Sequence, residues 1–134
     1  MEPAKVVARY AYGRIVKGYT QNFLPTNPSF YLRPFGSESV GDSIQILVRD
    51  LKAVFFVRDF LGDPNYRERK EFFKGAKFVG RVLEVIFKDG ELIIGSSLNY
   101  DSDRPGFFLS PADPKGNNLG VFVVSQAVSK VRYL

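Results

Sequence analysis

Arg49, Arg67, Arg69 and Lys70 are the side chains whose type and setting suit a phosphate-bearing or acidic partner. Arg67, Arg69 and Lys70 stand beside Tyr66, Phe72 and Phe73, so cations that neutralise phosphates neighbour aromatic faces that can stack on unpaired bases. A solvated basic face whose aromatics pack inward is the weightier reading, because clustered charge is commonly a surface feature. Asp101, Asp103 and Asp113 offer oxygens to a hard cation, but a Ca²⁺ loop needs roughly six to eight and nothing nearby completes one. They are expected to be turn residues. Asn22 and Asn99 can line a ligand pocket, since an amide both donates and accepts, or can close a strand end.

The sequence contains no His and no Cys. The commonest general base, the commonest metal ligand and the Ser-His and Cys-His nucleophile pairs are therefore missing, along with disulfides and thiolate metal sites. Catalytic residues are expected to be none, and no metal or cofactor is expected. The carboxylates sit at turns or among cations rather than in an apolar setting that would tune them for acid/base work.

Stepping from those residues to the elements that hold them, 13 Phe and 7 Tyr with no Trp favour half-buried pleated surfaces and an all-β interior. The order of special residues repeats at an offset of 77: Gly13 with Gly90, Gly18 with Gly95, Asn22 with Asn99, Pro28 with Pro105, Phe30 with Phe107 and Pro34 with Pro111. Turn and bend residues are the ones whose chemistry is most restrictive, so a tandem duplication is expected. The first copy spans Val6 to Val57 and the second Leu83 to Leu134, with a connector from Arg58 to Val82.

In the second copy Leu83, Val85 and Phe87 alternate up to Lys88-Asp89-Gly90, which reads as a strand and a tight turn with φ > 0 at the glycine. Gly95 lies inside the next strand and marks a bend where backbone comes close. Five short strands with a bent second one describe a small, curled SH3-like barrel, so two such barrels are expected. In the connector, Asp63-Pro64 supplies a helix start and Gly75 a stop, which predicts a short helix from Pro64 to Phe73. The first copy has six Lys and Arg against three Asp and Glu, the connector seven against four, and the second copy five against six. The basic excess belongs to the first copy and the connector.

Lys88-Asp89-Gly90, Gly95 and Tyr100-Asp101 resemble the first signature of the Sm and Sm-like family. That resemblance implies a five-stranded SH3-like barrel, assembly into rings and binding of single-stranded RNA through loop residues and a basic residue of a second signature. Arg49 is the only basic residue in the corresponding segments. The whole chain, especially the stretches 51–60 and 104–109, also looks like an uncharacterised bacterial domain associated with PilZ-type and other signalling modules, without the cyclic-dinucleotide signature of PilZ domains.

Adjacent large residues, as in Phe30-Tyr31, Phe55-Phe56 and Phe107-Phe108, point to opposite faces of a strand, so one of each pair needs a partner outside its own barrel. The chain is expected to be a non-catalytic, cytoplasmic binding or adaptor protein with a protein partner or a homo-oligomeric state. The alternative is a divergent Sm-like binder of single-stranded RNA. No apolar run reaches the roughly 18 residues of a membrane span, and neither a signal peptide nor an anchor is read.

Overall fold

The computed structural model describes residues 3–36, 42–62, 65, 78–113 and 115–134. The chain is all-β. Its strands are β1 (Ala4–Tyr10), β2 (Ile15–Thr20), β3 (Ser29–Pro34), β4 (Ile44–Leu47), β5 (Leu51–Val57), β6 (Arg81–Phe87), β7 (Leu92–Ser97), β8 (Gly106–Pro111), β9 (Asn118–Val124) and β10 (Val128–Tyr133). Single 3₁₀ turns, Val48–Asp50 and Ser125–Ala127, precede β5 and β10. The expected helix from Pro64 to Phe73 lies, apart from Asn65, outside the described residues. No helix among the described residues is long and apolar enough to cross a membrane.

All pairings are antiparallel, and the strands form one open sheet in the order β10-β6-β7-β8-β9-β5-β1-β2-β3-β4. β1 to β4 each have a counterpart whose C-terminal end lies 77 residues on, β5 and β10 begin at that same offset, and the 3₁₀ turns keep it. The halves are not separate in their hydrogen bonding. β5 closes the first half against β1 and then pairs on its other edge with β9, from Ala53 opposite Val123 to Val57 opposite Asn118. Past β5 the seam continues, because Arg58 N–H donates to the Asn117 carbonyl and the Asn117 side chain brackets both backbone groups of Asp59.

The turns behave as their residues demand. Gly13 and Gly90 close the β1–β2 and β6–β7 turns at φ +103° and +92°, where an L side chain is strained. Gly18 and Gly95 stand opposite Val6 and Leu83 on one side and opposite Pro34 and Pro111 on the other, where β2 and β7 meet β3 and β8 over only two residue pairs. A Cβ at Gly18 would lie 2.2 Å from the Arg33 carbonyl oxygen, and one at Gly95 2.3 Å from that of Ser110. Beside these bends the Thr20 hydroxyl donates to the Tyr31 carbonyl at 2.8 Å and the Ser97 hydroxyl to that of Phe108 at 2.7 Å.

Two apolar cores lie on opposite faces of the seam, and each borrows from the other half. Ala53, Phe55 and Val57 of β5 join Leu83, Val85, Phe107 and Leu109, while Phe122 and Val124 of β9 join Val6, Phe30, Leu32 and Val54. Strand alternation is the cause: successive side chains of β5 and β9 point to opposite faces, so both strands read as nearly continuous apolar runs. Phe55 and Phe107 fill one core, and Phe56 and Phe108 pack on the other. The outside partner required by the adjacent aromatics is thus, at 55–56 and 107–108, the other half.

One ionic cluster locks the seam. Lys52 of β5, with only 5% of its side chain exposed, bonds Asp89 at 2.7 Å and also Glu91, both beyond β6, and lies 4.7 Å from the Phe87 ring centroid. The hydrogen bond from Lys52 and a further one from the Glu91 backbone hold the Asp89 carboxyl below its ordinary pKa. A carboxylate with a lowered folded pKa stabilises fully above the unfolded value of about 4 and loses that contribution as pH falls through the folded value. Lys52→Met leaves two half-exposed carboxylates in water and should cost no more than about 1 kcal/mol at neutral pH, while reducing the loss of stability below about pH 4. Asp89→Asn with Glu91→Gln strands a buried ammonium and should cost about 3 kcal/mol in urea unfolding. In the same assay Gly95→Ala should lose about 2–3 kcal/mol, whereas Gly120→Ala, with nothing within 4 Å of the new methyl, should stay within about 0.5 kcal/mol of the parent.

Candidate functional site

The antiparallel seam sets the start of β5 beside the end of β9, and with them the two 3₁₀ turns. Each turn is pinned under the loop that enters the third strand of its half: Val48 N–H donates to the Pro28 carbonyl at 2.9 Å, and Ser125 N–H to the Pro105 carbonyl at 2.8 Å. The Ser125 hydroxyl holds the Arg104 carbonyl at 2.7 Å. Between the two loops and the two turns runs a groove of about 690 Å³. Pro25, Pro28, Leu47, Pro105 and Val124 form its apolar walls, and Arg49, Arg104 and Gln126 are among its polar groups.

Proline rings shape this groove because they fix φ and lack an N–H, so the loops carry fewer donors needing partners. Arg49 and Gln126 occupy equivalent places in the two 3₁₀ turns, and the seam makes them neighbours. They also line a second hollow of about 440 Å³, with Lys52, Lys88 and Asp89, so they stand on the ridge between two concavities. Arg49 has no ion pair or side-chain hydrogen bond within the described residues. Arg104 lies 3.8 Å from Asp101, an exposed pair that water screens.

Of the residues singled out from sequence, Arg49 and Asp103 both line the groove, so an acid stands there beside the two arginines. Arg67, Arg69 and Lys70 lie outside the described residues, so their relation to the groove is not described. The Asp101 and Asp113 carboxylates each accept from the backbone N–H two residues on, at 2.9 Å, as turn residues do. No group of three or more acidic residues among those described is arranged to hold a metal ion. The Asn22 amide oxygen accepts from Tyr31 N–H at 3.2 Å and the Thr20 hydroxyl at 3.3 Å, closing the end of β2. Asn99 faces the Ser97 hydroxyl at 3.5 Å in the matching place.

Sequence reasoning missed Arg104 as a groove residue and Lys52, Asp89 and Glu91 as a cluster. Their signal was available as divergence between the halves: 77 residues from each stand Asn27, Ser129, Tyr12 and Arg14. Lys52, Asp89, Glu91 and Arg104 thus have no counterpart of the same charge in the other half.

No curated protein and no solved structure matches this chain. A family model does match, over residues 2–134, and its description carries no activity. With nearly the whole sequence inside that match, the chain belongs to DUF6982, a family of unknown function.

Proposed function

We propose that this chain is a non-catalytic binding or adaptor protein, built from two copies of a five-stranded SH3-like unit, that receives an extended segment of a protein partner in the groove between the repeated loops. The carrying observation is Arg49: a cation without an ionic partner among the described residues, at the rim of an apolar-walled groove to which both halves contribute. Burying apolar surface supplies affinity there, at roughly 25 cal/mol per Å², while Arg49 and Arg104 select an acidic group on the partner. The constant offset of strands, turns and strand-end hydrogen bonds supports the duplication, and the bent second strands with Gly18 and Gly95 support the SH3-like, Sm-like reading. A setting beside bacterial signalling modules, in the cytoplasm, fits such an adaptor.

Single-stranded RNA is the second reading, favoured by Arg49 and Arg104 in one groove and by the basic connector. It ranks lower because none of the described residues lining the groove is aromatic, and base stacking needs such a platform.

Backbone amide shifts of the labelled protein, titrated with a panel of unstructured acidic and proline-containing peptides, test the first reading. Shifts should centre on Arg49, Gln126 and the 25–28 and 102–105 loops, and Arg49→Ala with Arg104→Ala should weaken the best peptide about tenfold, as loss of charge-assisted hydrogen bonds does. Peptide shifts scattered away from the groove would sink it. Binding of an unstructured RNA oligomer that falls steeply with salt, and whose slope shrinks in the Arg67→Ala, Arg69→Ala, Lys70→Ala variant, would move the assignment to RNA.

A further inference from the structure

We infer that the sheet face shared by β1, β2 and β5 receives an acidic amphipathic helix of a partner protein. This surface is separate from the groove, and the inference does not rest on the groove reading.

Strand register composes the face. It sets Arg33, Tyr19 and Lys5 side by side, then Lys17, Val7 and Phe55, then Ile15, Arg9 and Ala53. Directly opposed residues project to the same side of a sheet. Val7, Phe55, Val57 and Phe60 form the apolar floor of a hollow of about 330 Å³. Arg9 and Lys17 stand on its β1–β2 side, and Asn117 and Asn118 on its β9 side. Phe35, 54% exposed and 4.6 Å from the Phe60 ring, carries the apolar surface past the end of the hollow.

The charge of this face belongs to one half alone. At the 77-residue offset Lys5, Arg9, Lys17 and Arg33 correspond to Val82, Ile86, Ile94 and Ser110, none of them charged. The Lys17 ammonium donates to the Phe60 carbonyl at 2.9 Å and that of Lys5 to the Arg58 carbonyl at 3.5 Å. Neither lysine has a carboxylate partner among the described residues. Glu91 is the one acid among the described residues that line the hollow; it lies 3.7 Å from Arg9 and is already held by Lys52. The face is therefore open to carboxylates from outside.

The backbone decides what kind of segment fits. β1, β2 and β5 are each paired on both edges, so a partner cannot join them as a strand. It has to satisfy its own N–H and C=O groups while lying across the face, which a helix does. A helix with an apolar stripe at i, i+3, i+4 and i+7 and carboxylates along one flank matches an apolar floor with cations on one side. Nucleic acid fits less well, because Phe55 and Phe60 in the floor are 7% and 6% exposed and offer no open ring for stacking. The connector of this chain, with seven Lys and Arg against four Asp and Glu, carries the same sign as the face and is not its complement.

A fluorescein-labelled peptide with leucines at i, i+3, i+4 and i+7 and glutamates along one flank is the probe, titrated with the full chain and followed by anisotropy. It should bind and gain helical circular dichroism, while a scrambled peptide of the same composition should bind at least about tenfold more weakly. Lys5→Glu with Lys17→Glu should weaken the probe about tenfold, and a probe with lysines in place of its glutamates should recover that loss. Arg49→Ala with Arg104→Ala should leave the probe's affinity unchanged, which separates this face from the groove. Circular dichroism checks folding, and Lys5→Glu alone, at an exposed position, carries the comparison if the pair does not fold. No binding of the probe, equal binding of the scrambled peptide, or a loss confined to the groove variant overturns the inference. Binding of phosphatidylglycerol vesicles or of an RNA oligomer that the face variant abolishes, while its peptide binding persists, overturns it equally.

Discussion

The β5–β9 pairing is the constraint on which the rest of this structure depends. It turns ten short strands into one sheet, and it gives each core residues that its own half lacks. A unit of about 50 residues buries too little surface to be robust alone, and sharing a seam is a physical remedy. Burying one Phe contributes about 1.5–3 kcal/mol, so the exchange of Phe55 for Phe122 across the seam is a large term on the scale of a small domain's stability.

The seam also produces the groove. Antiparallel pairing of β5 with β9 brings both 3₁₀ turns to one end of the junction, and the loops pinned to those turns become its walls. A fold built from unlinked halves would keep Arg49 and Gln126 apart. Among the described strands the same pairing leaves β4 and β10 at the two ends of the sheet, so one structural choice sets the concave surface and the edges.

Divergence between the halves is distributed with a purpose visible in the contacts. Apolar and glycine positions that shape strands and bends are retained at the 77-residue offset, whereas charged positions are not. Lys52, Asp89 and Glu91, each without a charged counterpart of the same sign, form the cluster that covers the closed seam. Arg49 faces Gln126 rather than a second arginine, which gives the groove a basic and a neutral side.

By itself the sequence determined the all-β character, the tight turns at Gly13 and Gly90, the bends at Gly18 and Gly95 and the absence of His and Cys chemistry, because these follow from residue type and local backbone sterics. Turn chemistry acts over a few residues and is legible without knowing the neighbours. The adjacent aromatics revealed that a strand was covered on both faces, but not by what. Only the tertiary structure decided that β5 pairs with β9, that Phe55 and Phe122 enter each other's cores, and that Arg49, Arg104 and Gln126 line one groove. Those contacts join residues roughly 30 to 115 positions apart in the chain, and strand pairing at such distances depends on which edges remain free after the local hairpins have formed.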